Sequence, residues 1–255
     1  MNADTPEERT IAADWYRHSF GALYPILYAH RSPEAARLEA AFAAERVALR
    51  PSDAVLDLCC GGGRHMAALA EKTDTLTGLD YSPELLALAK QSLPPQTRLV
   101  RGDMRNLPFP KAFDVLFNFF TSFGYFQTRD ENFAVLQGIA RVLRPGGRFF
   151  FDYFHAEYTR QNLCPSSERE IPPYRVIEQR WIDTESNRVN KTTKVWQNDT
   201  LVARLGESVR LYTPEVLLAL LQEAELEPDA QFGDYEGHET SEDYPRLIVV
   251  GHRKA

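Results

Sequence analysis

Val55-Leu56-Asp57-Leu58-Cys59-Cys60-Gly61-Gly62-Gly63-Arg64-His65 decides how this chain folds. A short apolar run carries an aspartate, breaks into three consecutive glycines and passes into a segment of helical character. That is how a buried parallel strand hands over to a helix through a turn where backbone must come close to a ligand. Seventeen residues after Gly63, a second apolar run, Leu76-Thr77-Gly78-Leu79, ends in Asp80. A glycine-rich turn followed by an acid at the end of the next strand is the arrangement that holds an adenosine-containing cofactor.

Outward from this turn the chain alternates. Residues 54–58, 75–79, 98–101, 113–119 and 148–154 read as strands, and 64–71, 82–92 and 130–143 as helices between them. Ser82 is the N-cap of its helix, with Pro83 at the first helical position. Arg144-Pro145-Gly146-Gly147 reads as a stop between the third helix and the fifth strand. Strands alternating with helices imply a parallel sheet covered on both faces. Upstream, residues 10–29 read as one helix rich in aromatic residues, and 32–49 as a second. Downstream of Phe154, residues 175–183, 188–197 and 201–211 alternate in polarity around turns at 184–187 and 198–199, an antiparallel meander. A helix capped by Thr213 and strands near 228–232 and 247–252 follow. The expected organisation is therefore helices over 1–50, a cofactor-binding core over 51–154, an antiparallel insertion over 155–212, and a helix and strands over 213–255 that complete the core sheet.

Composition narrows the function. Over 255 residues, 44% hydrophobic and 25% charged content suit a soluble globular protein. The net charge is −7, and Lys and Arg are scattered, so the chain lacks the basic patch of a nucleic-acid binder. No apolar run approaches the roughly 20 residues that span a bilayer. The first eight residues are acidic and polar, unlike a secretory signal, so a cytoplasmic location is expected. Three cysteines make no disulfide framework, and Cys59 and Cys60 lack two further ligands at metal spacing, so no metal is expected. They read as small residues filling a tight turn.

The dinucleotide fingerprint G-x-G-x-x-G would need glycine at position 66, which is Met66. The triphosphate loop would need Gly-Lys-Ser/Thr, which is absent. What matches is acid-x-Gly-x-Gly-x-Gly laid over Asp57 to Gly63, with Cys59 in place of the first glycine. Four more segments fall in order behind it: Gly78-Leu79-Asp80-Tyr81-Ser82, Arg101-Gly102-Asp103-Met104, Phe113-Asp114-Val115-Leu116-Phe117-Asn118 and Leu143-Arg144-Pro145-Gly146-Gly147-Arg148-Phe149. Over residues 53–154 the chain resembles the class I S-adenosylmethionine-dependent methyltransferases.

That resemblance implies an α/β fold, a Rossmann-like, doubly wound, mostly parallel seven-stranded sheet, with the antiparallel insertion placed after strand five. It implies S-adenosylmethionine as cofactor, which has no pyrophosphate and so demands no cluster of amides or lysines. Asp80 then accepts the ribose hydroxyls, a charge-assisted contact contributing about 1.5–3 kcal/mol. Tyr81 and Met104 cover the adenine, Asp103 accepts from its exocyclic amine, and Asp57 faces the methionine ammonium. Cys59, Gly61 and Gly63 shape the turn, and Asn118 and Phe119 lie by the sulfonium.

For the acceptor the signals are weaker. The Asn/Asp-Pro-Pro-Tyr/Phe element of DNA amino-methylating enzymes is absent after strand four, where Asn118-Phe119-Phe120-Thr121-Ser122-Phe123-Gly124-Tyr125-Phe126 stands instead. No catalytic cysteine stands in the loop after that strand either, against cytosine C5 chemistry and against a DNA partner. An aromatic loop there suits an apolar, cation-friendly pocket, with Phe123 and Tyr125 lining it. Tyr24, Tyr28 and His30 join it from the N-terminal helix, which in small-molecule members of the family folds over the cofactor. Tyr153, Arg210 and Tyr212 add to it, and His155, after strand five, joins His30 and Tyr24 as a candidate proton carrier. The expected reaction is methyl transfer to a small molecule. The alternatives are a macromolecular acceptor (tRNA, ribosomal RNA or protein) docked on the insertion, or a non-catalytic cofactor-binding protein.

Overall fold

The computed structural model describes residues 9–255, so the acidic start at residues 1–8 lies outside the described residues. The chain opens with α1 (Tyr16–Ser19), α2 (Tyr24–Leu27) and α3 (Pro33–Arg46). It then alternates through β1 (Ala54–Leu58), α4 (Arg64–Leu69), β2 (Thr75–Asp80), α5 (Pro83–Ser92), β3 (Arg98–Arg101), β4 (Phe113–Asn118), α6 (Arg129–Val142) and β5 (Leu143–Phe154). After α7 (Ala156–Asn162) come β6 (Ser166–Ile171), β7 (Tyr174–Asp183), β8 (Arg188–Gln197) and β9 (Thr200–Arg210). The chain closes with α8 (Pro214–Glu223), β10 (Leu226–Phe232) and β11 (Arg246–Arg253).

Seven strands make one sheet in the order β10-β11-β5-β4-β1-β2-β3, and the four strands β6-β7-β8-β9 make a second, antiparallel sheet. The five strands from β5 to β3 run parallel, and β11 and β10 join antiparallel beside β5. Strand order reverses between β1 and β4, which opens a crevice at their carboxyl ends where ligands of this architecture bind.

The core strands are apolar on both faces. Leu56, Leu58, Leu116, Phe149, Phe151 and Val249 pack on one side of the sheet, and Val55, Val115, Phe117, Phe150, Ile248 and Val250 on the other. Strand side chains alternate with period two, so such near-continuous apolar runs exist only where helices cover both faces. The caps follow the sequence: Ser82 accepts from Leu85 N at 3.1 Å and Ser32 from Ala35 N at 3.1 Å.

Three local expectations change. The single helix over 10–29 is two short ones, because Phe20 leaves helical geometry ahead of Gly21, and Pro25 sits in the first turn of α2. The stop at 144–147 is instead the start of β5, with Gly146 at φ +69° and a register shift between Phe113 and Val115 on β4 taking up the extra residues. The meander has a fourth strand, β6, whose short polar run Ser166-Ser167-Glu168-Arg169-Glu170-Ile171 carries little hydrophobic signal. Among the described residues no helix is long and apolar enough to cross a membrane.

Candidate active site

The turn after β1 is built on left-handed backbone. Cys59 has φ +63°, so the position where the pattern calls for glycine needs the conformation that glycine adopts freely. Cysteine holds it at a conformational cost of about 1–2 kcal/mol. Cys60 N donates to Leu79 O at 3.0 Å, tying the turn to β2. Met66, at the position that excluded a dinucleotide, is fully buried against β2: a Cβ added at Gly78 would lie 2.5 Å from its sulfur. Close helix–strand packing is thus achieved by a glycine on the strand instead of one on the helix.

Two acids stand in this crevice. Asp80, at the end of β2, accepts from Gly61 N and Ser82 N, both at 2.8 Å, one on each carboxylate oxygen. Each oxygen keeps a lone pair for another donor. Burial raises its pKa, and the backbone donors from Ser82, Gly61 and Tyr81 partly offset the rise. Asp57, in β1, is 2% exposed, and its Oδ2 is buried with no hydrogen-bond partner. Burial pushes its carboxyl well above the usual range, Asp80 adds to the shift and Arg64 opposes it. A buried acceptor without a donor is destabilising unless a ligand supplies one.

Asp80 and Asp57 line a cavity of about 330 Å³. Cys59, Gly61, Tyr81, Asp103 and Met104 complete that side. Burial works against the Asp103 charge, but Arg105 grips the carboxylate at 2.7 Å and keeps its pKa low. The same arginine reaches Tyr16 OH at 3.2 Å and Glu131 at 2.7 Å, joining this side to α1 and to the cap of α6.

The opposite side is aromatic. Tyr24, Tyr28, Phe119 and Tyr125 line it, together with Tyr16, Phe20 and Phe120. The N-terminal segment rests on the second sheet: Ser19 Oγ donates to Gly206 O at 2.6 Å, Tyr28 OH to Glu207 at 2.7 Å, and Arg169 to Leu27 O at 3.1 Å. Burial raises the pKa of Tyr24 and, with Glu207, that of Tyr28, so both phenols stay protonated.

The loop after β4 carries two consecutive left-handed residues, Phe120 (φ +53°) and Thr121 (φ +57°). Buried Asp152 holds them. Its carboxylate accepts from Phe120 N at 2.7 Å and its carbonyl from Thr121 N at 2.9 Å. Tyr235 OH and Arg246 Nε, each at 2.7 Å, secure the same carboxylate. Such strain persists only where the surroundings over-determine it.

Several expected site residues lie outside the cavity wall. Phe123 is fully buried behind the loop, 5.2 Å from the Phe151 ring and 5.6 Å from Tyr212. Tyr153 is fully buried too, donating to Arg210 O, because period two along β5 sends it to the face opposite Asp152. Arg210 donates to Gln127 O at 3.0 Å and so braces the loop from behind. Asn118 is buried, with Nδ2 donating to Leu58 O at 3.1 Å and Oδ1 unpartnered. Gly63 packs on Leu93 and Ala89 of α5 and its flank. His155 caps α7, accepting from Tyr158 N at 3.4 Å, and His30 lies outside the cavity beside Tyr28.

The histidine in the wall is His65, the second residue of α4, whose helical position carries no separate signal of a site in the sequence. It stacks on Phe119 with ring centroids 4.1 Å apart, and Nε2 lies 2.7 Å from Glu39 of α3. Burial lowers its pKa and Glu39 opposes the shift, so the ring is neutral near pH 7. Arg31, Arg64 and Glu39 were also missed. The available signal was position: Arg64 and His65 directly follow the glycine turn.

Comparisons with known proteins agree with this geometry. Residues 55–147 match the model of a methyltransferase domain. The chain is 40% identical over 107 residues to an uncharacterized methyltransferase of Synechocystis, covering 41% of this chain and 49% of that one. The match thus spans about half of that relative's length. It is 28% identical over 214 residues to the dTDP-3-amino-3,4,6-trideoxy-alpha-D-glucopyranose N,N-dimethyltransferase of Streptomyces venezuelae, covering 83% of this chain and 88% of that one. Its fold matches a solved S-adenosylmethionine-dependent methyltransferase from Clostridium acetobutylicum with a TM-score of 0.77 at 19% identity, over 91% of this chain and 96% of that one.

Proposed function

We propose that the chain, whose residues 55–147 match a methyltransferase domain, is a class I S-adenosylmethionine-dependent methyltransferase that transfers the cofactor's methyl group to a small-molecule acceptor held in the aromatic side of the cavity. The observation that carries this reading is the buried, partnerless Oδ2 of Asp57 beside Asp80 in the cavity wall. An ammonium group suits the first acid and a ribose diol the second, and S-adenosylmethionine offers both. When bound, the cofactor supplies a methyl made electrophilic by its sulfonium.

This chain's residues do the rest. Asp57 pairs with the ammonium, and the free lone pairs of Asp80 accept the ribose hydroxyls. Tyr81 and Met104 cover the adenine face, and Asp103 accepts from the exocyclic amine. Cys59, Gly61 and Gly63 shape the backbone against which the cofactor lies. Phe119, directly after Asn118 at the end of β4, would border the transferred methyl. Tyr24, Tyr28 and Tyr125 hold the acceptor, while Phe123, Tyr153 and Arg210 brace the loop from behind. Alignment and exclusion of water contribute up to roughly 7–11 kcal/mol to such displacements. Where the acceptor arrives protonated, neutral His65, oriented by Glu39, takes the proton, a role for which the positions of His155 and His30 do not suit them.

The N-terminal segment closing over the cavity supports a small acceptor over a macromolecular one. The second sheet serves as the platform on which that segment rests. The test is calorimetric titration with S-adenosylhomocysteine, followed by a metabolite panel scored for methylated product. Binding plus a methylated metabolite is the expected result. No binding would overturn the reading, and product formed only on RNA or protein would replace the acceptor.

A further inference from the structure

The cavity holds two guanidinium groups whose charge the methyl-transfer reading leaves unused. Arg31, in the turn before α3, and Arg64, the first residue of α4, both line it. Both lie over the Phe120 ring, with their guanidinium carbons 5.1 Å and 4.4 Å from its centroid. Arg31 also stacks on Tyr28 at 4.3 Å and donates to Tyr24 OH at 2.9 Å. These segments are 33 residues apart in sequence, so only the fold brings the two cations together.

Their hydrogen-bonding capacity is largely open. Among the described residues Arg31 makes no ion pair. Both terminal nitrogens of Arg64 are buried without a hydrogen-bond acceptor, although Nη1 lies 3.1 Å from Glu39. That Glu39 oxygen is shared with His65 at 2.7 Å. The nearby third guanidinium, Arg246, is 5.3 Å from the same ring, but Asp152 takes its charge at 2.5 Å. Glu39 is shared between Arg64 and His65, and Glu207, on the far side of Tyr28 from Arg31, is already paired with Lys191 at 2.7 Å. The buried, acceptor-free terminal N–H groups of Arg64, with the guanidinium of Arg31 beside them, are matched by planar or tetrahedral oxyanions, which a guanidinium binds through paired hydrogen bonds.

We propose that Arg31 and Arg64, gathered over Phe120, form an oxyanion subsite, and that the methyl acceptor carries a carboxylate or phosphate group that docks there. This rests on the methyltransferase reading above. Phe120, Tyr24 and Tyr28 supply an apolar wall beside the charge, so the fitting acceptor pairs an apolar or planar body with one anionic end. The same chemistry has a second source, the carboxylate of the cofactor's own methionine end.

The test separates the two sources. S-adenosylhomocysteine is titrated into the full chain and into Arg31→Gln and Arg64→Gln, and inorganic pyrophosphate is then titrated into each loaded protein. If the subsite serves the acceptor, loaded wild type binds pyrophosphate and each variant binds it about tenfold or more weakly. S-adenosylhomocysteine affinity then stays within about threefold of wild type. Arg31→Lys, which keeps the charge, recovers part of the pyrophosphate binding. A tenfold loss of S-adenosylhomocysteine affinity in both variants, with no pyrophosphate bound by loaded wild type, assigns the cations to the cofactor and overturns the acceptor proposal. Pyrophosphate binding that is absent in wild type while S-adenosylhomocysteine affinity is unchanged in the variants, or pyrophosphate binding that is unchanged in both variants, overturns the subsite itself. Failure of S-adenosylhomocysteine to bind wild type refutes the methyltransferase reading instead, before pyrophosphate is added. Thermal melting of each variant separates lost binding from lost fold.

Discussion

The two sides of the cavity are built on different principles. The side holding Asp57, Asp80 and Asp103 comes from one continuous stretch of chain. Asp80 is held by backbone amides of the two turns beside it, Ser82 N two residues on and Gly61 N across the β1–β2 pair. The aromatic side is assembled from the N-terminal segment, the start of α4 and the loop after β4. It is held by distant groups: Asp152 under Phe120, Arg188 under the carbonyls of Tyr125 and Phe126 at 2.9 Å each, and Glu207 against Tyr28. The first side is built around strand-to-helix turns, whereas the second depends on segments brought together from across the chain.

That contrast can be broken most sharply at Asp152. Asp152→Ala leaves buried Arg246 without its counter-charge and frees the strained loop, a loss of about 3–5 kcal/mol in urea unfolding. S-adenosylhomocysteine affinity should change little in the protein that remains folded. A large loss of that affinity would mean that the two sides are not independent. Asp80→Ala acts on the other side, lowering S-adenosylhomocysteine affinity by about 3 kcal/mol, or roughly 100-fold, by calorimetry. It should leave the loop after β4 undisturbed.

Asp57→Asn should separate stability from binding. Removing a buried carboxylate without a partner stabilises the ligand-free protein by about 1 kcal/mol in thermal melting, while S-adenosylhomocysteine binds about tenfold more weakly. The pH dependence follows from the same group. The Asp57 pKa is raised in the folded protein, chiefly by burial and then by Asp80. Its charge therefore lowers ligand-free stability as pH rises above the unfolded carboxyl range, whereas pairing with an ammonium needs that charge. S-adenosylhomocysteine affinity should accordingly fall as pH drops through the raised range, and Asp57→Asn should flatten the profile. The smallest effect is at Cys59. Cys59→Gly relieves the left-handed conformation but adds unfolded-state entropy, a net gain of at most about 1 kcal/mol in urea unfolding.

The parts of the molecule that the sequence revealed share a physical cause. Strand and helix alternation, the caps at Ser82 and Thr213, and the acids at Asp57 and Asp80 are short-range patterns, set by side-chain period and backbone geometry. The long helix over 10–29 was misjudged because aromatic spacing alone cannot reveal that Phe20 and Gly21 break the helix so that the segment can lie on β9. Phe123 follows one central strand and Tyr153 lies at the carboxyl end of another, positions that point toward the cavity in sequence alone. Period two on β5 turns Tyr153 away, and Phe151 and Tyr212 take up Phe123. His65 and Glu39 were missed because their pairing spans two helices, 26 residues apart in sequence.

By itself, the sequence determined the parallel α/β core and the antiparallel insertion and marked Asp57 to Gly63 and Asp80, because strand, turn and helix patterns are set by short-range side-chain period and backbone geometry. Only the tertiary structure decided the acceptor side. The meeting of Arg31 with Arg64, of His65 with Glu39 and of Phe120 with Asp152 depends on long-range packing, and no local pattern encodes it.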